Sequence, residues 1–369
     1  MGLNIDKRDI PSGKRILVTS DIHGHIDHLK NVLEKAHFCD SDLLVIVGDI
    51  VEKGPHSLET LRYVMSLYEK GNVAVTMGNV DLWRLWMIDG ISEGSAGDFL
   101  GYLLSQRAWK GTNFYDEMAA ECGVSLDSPE DILRTKDAIC SHFKPELDFL
   151  RSRPTALETQ NYIFVHGGMT QKNFENAEEL DPYGFLKYDN FMSCELCFDK
   201  YIVVGHWPVT LYSEKIPQSN PVINRQKKII SIDGGCGLKS DGQLNLIEIP
   251  DINCKVGEIK HYSYDGLPVC IALEDQEASA DSLHIKWTDN EIKELETEDG
   301  FTYAEHVSTG KRLWICSDYI YQEHHSNDFT DYALPVKKGD RLSVVKVTSR
   351  GIIAKKDGVT GWYYGKIKE

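Results

Sequence analysis

The chain has 369 residues, 40 Lys and Arg against 57 Asp and Glu, and a formal net charge of −17. So acidic a surface repels a phosphodiester backbone, which excludes nucleic-acid binding through a basic face. No apolar run approaches the roughly 18 residues of a membrane helix, and 41% hydrophobic with 26% charged residues is the composition of a folded chain. The opening MGLNIDKRDIPSGKR carries no apolar leader, and nine cysteines in no paired framework fit reduced thiols. Both predict a cytoplasmic protein.

Six short β-branched runs appear in order, each stopping abruptly on glycine or a polar residue. KRILVTSDIHGH carries Ile16–Val18 into Asp21 and His23, and DLLVIVGDIVEKGPHS carries Leu43–Val47 into Asp49. NVAVTMGNVDLW ends on Asn79, NYIFVHGG on His166, KYIVVGHWP on His206 and KKIISIDGGCG on Asp233. Runs apolar at nearly every position predict strands covered on both faces, as in α/β sheets. Ile26, Leu29, Val32, Leu33 and Ala36 have helical spacing, as does SLETLRYVMSLYEKG with Ser57 as expected N-cap and Gly71 past its end. Residues 83–150 lack strand runs and predict a helical insertion.

Beyond Pro250 helical periodicity fades. Ten acidic residues against two lysines lie between Glu274 and Asp299, while nine Lys and Arg against three acids lie from Lys337 to Glu369. Strands are expected near 341–348, 351–356 and 359–364, with Asp357-Gly358 as a two-residue hairpin turn. The expected domains are 1–250, a β-rich acidic connection at 251–330, and a small β domain at 331–369. Cys194 and Cys197 form a lone CxxC; with no partner motif, two half-buried thiols are expected there.

Asp21, His23, Asp49, Asn79, His166 and His206 thus stand at successive strand ends, where ligands gather in α/β sheets. Carboxylate, amide and imidazole donors suit Mn, Fe or Zn. Six donors are too many for one catalytic ion and suit two ions sharing a carboxylate, an arrangement that serves phosphate-ester hydrolysis.

The blocks DIHGH, GDIVEKGPHS, GNVD, HGG and GHWP, in this order over residues 14–250, resemble the signature blocks of calcineurin-like metallophosphoesterases. The likeness is to the phosphoprotein-phosphatase branch, which includes bacterial diadenosine tetraphosphatases. The resemblance implies a four-layer α/β/β/α fold. It implies two divalent ions, manganese favoured, with Asp21 and His23 on the first, Asp49 bridging, and Asn79, His166 and His206 completing the second. It implies hydrolysis of a phosphomonoester or nucleoside-polyphosphate bond by metal-bound hydroxide, with Asn79 and Lys53 also meeting the phosphate. The substrate would be a phosphorylated protein or a nucleotide.

Three positions depart from the branch. The proton-donating His of the GNH block is Val80, its orienting Asp is Glu52, and the phosphate-clamping Arg is Lys53. Valine moves no proton, so Glu52 and Asp81 become the candidate catalytic substitutes, with His25 and His56 nearby. The competing function is a pseudophosphatase adaptor that binds metal and a phosphorylated ligand with little turnover. The tail GDRLSVVKV…AKKDG…GWYYGKI resembles a bacterial SH3-like domain, which implies a peptide partner, with Trp362, Tyr363 and Tyr364 as groove or core residues.

Overall fold

The computed structural model describes residues 3–322 and 324–368. They cluster into two compact units. The first takes the chain up to Trp207, Pro221–Leu238 and Leu244–Tyr264; the second takes Pro208–Asn220, Lys239–Gln243 and the residues from Asp265 onward.

The first unit begins with β1 (Ile5–Lys7), β2 (Ile16–Thr19), α1 (Ile26–Lys35), β3 (Leu43–Val47), α2 (Ser57–Tyr68) and β4 (Val73–Thr76). The expected helical insertion follows as α3 (Asn79–Asp89), α4 (Ala96–Lys110), α5 (Phe114–Glu121), α6 (Pro129–His142) and α7 (Lys144–Arg151). Next come β5 (Ala156–Glu158), β6 (Tyr162–Val165), the single-turn α8 (Tyr183–Leu186), β7 (Tyr201–Val204), β8 (Val222–Asn224), β9 (Ile229–Ser231), β10 (Leu244–Ile249) and β11 (Lys260–Tyr264). Since β11 pairs with β10 in the first unit's sheet, that unit runs past the boundary expected at 250.

Two sheets form, with strand orders β11-β10-β2-β3-β4 and β1-β5-β6-β7-β9-β8. β2, β3 and β4 are parallel, as are β6, β7 and β9, so the tips of each trio emerge on one edge. Alternation along each strand separates two cores. Ile16, Val18, Val45 and Val47 face Leu157, Phe164, Val203 and Ile230 between the sheets. Leu17, Leu44, Ile46 and Val75 turn instead to Leu29, Leu61, Val64 and the insertion, including Phe114 and Leu147. The far face of the second sheet is covered by Met169, Phe185, Phe191 and Phe198. The fourth layer is therefore largely irregular chain carrying α8, where a helical layer was expected. Cys194 lies in this core, Cys197 is exposed, and both are free thiols.

Capping departs from expectation at α2. His56, not Ser57, is the N-cap residue; the Ser57 and Leu58 N–H groups donate to the Glu117 carboxylate of α5, at 2.9 and 2.8 Å. This frees the Ser57 hydroxyl to accept from the Glu52 N–H at 3.0 Å, fixing the loop after β3.

The second unit contains β12 (Val269–Ala272), β13 (His284–Ile285), β14 (Ile292–Glu298), β15 (Phe301–His306), β16 (Arg312–Cys316), β17 (Ile320–Tyr321), β18 (His325–Ser326) and β19 (Phe329–Thr330). It ends with β20 (Arg341–Thr348), β21 (Gly351–Lys356), β22 (Val359–Tyr363) and β23 (Ile367–Lys368). The 357–358 turn has both residues at positive φ, 51° and 79°, as a type I′ hairpin requires. Its sheet, β22-β21-β20-β12-β23, takes in β12, so residues 331–369 share their sheet with Val269–Ala272. The acidic stretch includes β14, which pairs with β15 and exposes six of its seven residues. Consecutive residues of β22 serve two cores: Trp362 packs with Phe301 and Phe329, Tyr363 with Leu334 and Ala354. Tyr364 is exposed. Trp362 also donates its indole N–H to the Thr330 carbonyl at 2.8 Å, so it is a core residue. Trp362→Ala is expected to destabilise the second unit by about 3–5 kcal/mol, read as a lowered urea midpoint in near-UV circular dichroism.

Candidate metal centre

Where strands β2, β3 and β7 end, the backbone enters the left-handed region at residues that are not glycine. Asp21, His23, Asp49 and His206 have φ of 54°, 49°, 52° and 64°. Each such residue costs on the order of 1–3 kcal/mol and persists only where its surroundings hold it. The hold is visible: Asp21 N–H donates to the Gly48 carbonyl at 3.1 Å, His23 N–H to that of Asp49 at 3.0 Å and Gly24 N–H to that of Ile50 at 2.8 Å. Glycines beside the candidate ligands allow the loops to close in. A Cβ on Gly78 would overlap the Asp49 backbone and carboxylate, and one on Gly205 would overlap the Asp21 carboxylate.

All six predicted ligands come together, in an unbroken series of contacts. Asp21 Oδ1 lies 3.8 Å from His23 Nε2, which lies 3.6 Å from Asp49 Oδ2. Asp49 Oδ2 is 3.4 Å from His166 Nε2, and Asn79 Oδ1 meets His166 Nε2 at 3.0 Å and His206 Nδ1 at 2.9 Å. The His206 backbone N–H donates back to Asp21 Oδ2 at 3.0 Å, closing the ring. Asp21, His23 and Asp49 form a buried trio whose donor atoms lie within 4.8 Å of one another. Asp49 stands between the two groups of donors.

The imidazoles are oriented from behind. His23 Nδ1 faces the Val51 carbonyl at 3.2 Å and His166 Nδ1 the Val47 carbonyl at 2.8 Å, so each donates there and turns Nε2 inward. His206 is reversed: its Nε2 faces Asp189 Oδ1 at 2.8 Å, leaving Nδ1 for the cluster. Sequence reading missed Asp189, since nothing in the stretch between β6 and β7 marks it.

The charges of the cluster ask for cations. Burial pushes the Asp21 carboxyl up. Burial also works against the Asp49 charge, but His166 and His23 hold that carboxyl below its usual range. For His166, burial is outweighed by Asp49 and Asp21, and its pKa rises to about 10. Burial keeps His23 and His206 neutral, the form that ligates metal, with Lys53 and His166 adding to the effect respectively. The Lys53 ammonium lies 3.1 Å from His23 Nε2. Carboxylate, amide and imidazole donors gathered in one buried cluster fit divalent ions of the Mn, Fe or Zn type.

A seventh acid joins them. Asp233, at the end of β9, is fully buried; Oδ1 accepts the Gly235 N–H at 2.7 Å, while Oδ2 has no hydrogen-bond partner. Burial and Asp21 raise its pKa well above the ordinary value. Its signal was in the sequence, since IISID ends as the other strands do.

The expected proton donors are placed elsewhere. Both Glu52 oxygens are buried, and its carboxylate pairs with Arg84 of α3 at 2.5 Å. The Tyr102 ring lies 4.2 Å from that guanidinium. Asp81 accepts backbone N–H groups from Ile50 at 3.0 Å, Val51 at 3.2 Å and Gly78 at 3.3 Å. That makes Asp81 a positioning residue that ties the loop after β3 to the start of α3, in place of the catalytic role expected for it. Glu52, one α3 turn from Val80 through Arg84, is likewise occupied. His25 Nδ1 faces the His23 carbonyl at 2.7 Å, and His56 is exposed at the start of α2. Val80 contributes its backbone N–H to Asp49 Oδ1 at 2.9 Å.

The calcineurin-like phosphoesterase family profile matches residues 14–229, and the chain belongs to that family. A symmetrical bis(5'-nucleosyl)-tetraphosphatase of Buchnera aphidicola subsp. Baizongia pistaciae is 26% identical over 265 residues, covering 58% of this chain and 88% of that protein. The enzyme of that name from Psychromonas ingrahamii is 42% identical over 89 residues, 24% of this chain and 32% of its own. The Vibrio cholerae one is 31% identical over 155 residues, 42% of this chain and 44% of its own. The matches thus span under half the length of two of these three relatives. Among solved structures, a serine/threonine phosphatase from Saccharomyces cerevisiae aligns with TM-score 0.44 at 12% identity, covering 72% of this chain and 84% of that one. A cold-active protein-tyrosine phosphatase of a Shewanella species aligns with TM-score 0.39 at 16% identity, covering 70% and 82%. Among the described residues no helix is long and apolar enough to cross a membrane.

Gly78→Ala is expected to weaken manganese binding by about 10–100-fold by displacing Asp49, measured by calorimetry, with far-UV circular dichroism unchanged. Arg84→Ala leaves Glu52 buried and unpaired and is expected to cost about 3–5 kcal/mol. Adding Glu52→Gln recovers part of that loss in urea denaturation.

Proposed function

We propose that the protein is a metal-dependent phosphoesterase acting on a nucleoside polyphosphate. The observation that carries the reading is the closed ring of contacts through Asp21, His23, Asp49, Asn79, His166 and His206, with Asp49 shared between its halves. Divalent ions bound there would neutralise phosphoryl charge and acidify water. In the net reaction a water oxygen bonds to phosphorus, the ester P–O bond breaks with its electron pair on the leaving oxygen, and water supplies both protons.

The chain's own groups do the rest. Lys53 meets the phosphate as a point charge, without the two-pronged grip of arginine. Asp189 and the Val51 and Val47 carbonyls hold the imidazoles in the ligating tautomer. Val80 supplies no proton, so the leaving oxygen departs unassisted. Such a site favours leaving groups that carry negative charge well, such as a phosphate or an aryl oxide.

Two features support a nucleotide over a phosphoprotein. The relatives named above are nucleoside tetraphosphatases. The α3 face that begins with Asn79 continues through the exposed Trp83 and Trp86, at helical spacings of four and seven residues. They lie about 6 and 10 Å along the axis from Asn79 and offer indole planes to a base. Trp86 packs against Tyr183 with ring centroids 5.7 Å apart. The pseudophosphatase reading is favoured by Val80 and by the Glu52–Arg84 pair, and the same experiment decides it.

With manganese, an aryl phosphate and a nucleoside polyphosphate are expected to be hydrolysed. An alkyl monophosphate should be slower by about 10²–10⁴, the share a proton donor contributes. Asp49→Asn serves as the blank. No rate above that blank on any substrate, with metal bound, makes the protein a binding module. Val80→His alone should raise the alkyl rate by only a fewfold, since Glu52 is held by Arg84; a hundredfold gain would show that Glu52 is free to orient it.

A further inference from the structure

We propose that Lys110, at the C-terminal end of α4, joins Lys53 in a second phosphate subsite beside the metal cluster, and so selects polyphosphates over monoesters. The inference rests on the phosphoesterase reading for the first phosphate and goes beyond it for the second.

Lys110 reaches from the helical insertion to the loop after β9. Its ammonium donates to the Gly237 carbonyl at 2.7 Å. Gly237, at φ +73°, packs against the cluster: a Cβ there would stand 3.2 Å from His23 Cβ and 3.0 Å from His25 Cε1. Lys110 is therefore anchored one residue's width from a metal-ligand histidine. On its other side the ammonium lies 4.3 Å from the centroid of the Trp109 ring.

Both of these partners, a carbonyl and an indole face, are neutral. Among the described residues no ion pair joins Lys110 or Lys53 to a carboxylate, in a chain with 57 acidic residues against 40 basic ones. Burial and the neighbouring Lys53 charge both disfavour the Lys110 ammonium. Two like charges brought together and half-buried repel, and an anion between them relieves that repulsion with charge-assisted hydrogen bonds. A phosphate next to the one at the cluster has the negative charge that no carboxylate supplies to Lys110 through an ion pair. Hydrolysis at the cluster would then release a polyphosphate leaving group held by Lys110, the kind that departs without the proton Val80 cannot give.

A purely structural Lys110 would tie α4 to Gly237 and nothing more. The two roles separate in binding. Inorganic tripolyphosphate and orthophosphate are titrated into the full chain by calorimetry, with chelator and again with manganese. Wild type is expected to favour tripolyphosphate. Lys110→Gln should weaken tripolyphosphate about tenfold, the worth of one charge-assisted hydrogen bond, and orthophosphate less than twofold, with Lys110→Arg staying near wild type. Equal loss for both anions, or for neither, overturns the subsite. Lys110→Met keeps the stem against Trp109 and replaces Gln if that variant unfolds. The chelator arm needs no turnover, so an inactive chain that still discriminates tripolyphosphate through Lys110 refutes the phosphoesterase reading alone. A chain that hydrolyses monoesters yet shows no such discrimination refutes the subsite alone.

Discussion

Everything at the edge of the two sheets is arranged around one buried carboxylate. Asp49 is 1% exposed and sits at φ 52°, a conformation that costs energy for any residue with a Cβ. Its Oδ1 accepts the Val80 N–H at the start of α3, and its Oδ2 stands between His23 and His166. An ionised carboxylate in so dry a place is tolerable only with charge-assisted partners on every side. That demand explains Gly78, which lets the β4 loop approach. It explains Asp81, which binds the N–H groups of Ile50 and Val51. It also explains the parallel order of β2, β3 and β4, which brings three loop tips to the same edge.

Helix α3 is the second organiser, because it combines ligation with the departure from the branch pattern. Its first residue is Asn79, its second lends only a backbone N–H, and its third locks the Asp49 loop. One turn on, Arg84 takes the Glu52 carboxylate. Positions 52 and 80 are thus physically linked through Arg84, which lies one turn beyond Val80 and pairs with the buried Glu52 carboxylate. On this helix the candidate ligand Asn79 and the valine at position 80 are neighbouring but separate groups.

Much of this was legible from sequence, and the reasons are particular. Strand ends were readable because runs such as LLVIV and YIFV, covered on both faces, stop sharply at glycine or a charged residue. The six candidate ligands that the fold brings together were readable because each follows such a stop within one to five residues. Asp233 follows the same rule, since IISID ends as the other strands do. Asp189 was illegible: it lies in an irregular stretch with no periodicity and reaches His206 only through folding. Glu52 and Asp81 were legible as acids near the centre, but their roles were not, since a side chain's direction depends on Arg84 and on three backbone N–H groups. In the tail, Gly-Trp-Tyr announced a small β structure, while only the pleat of β22 reveals that Trp362 and Tyr363 fill different cores.

The distribution of charge bears on the proposed preference for a polyphosphate. A net charge of −17 does not repel a polyanion uniformly, because close to the cluster the relevant charges are local and poorly screened. There the acids are already engaged: Asp21, Asp49 and Asp233 face inward, Asp81 binds backbone, Glu52 binds Arg84 and Glu117 caps α2. The lysines that remain, Lys53 and Lys110, face neutral partners. A chain so negative overall disfavours extended polyanions such as nucleic acid. The proposed subsite would take a short polyphosphate in preference. The missing proton donor points the same way, since phosphate leaves readily as an anion where an alkoxide does not.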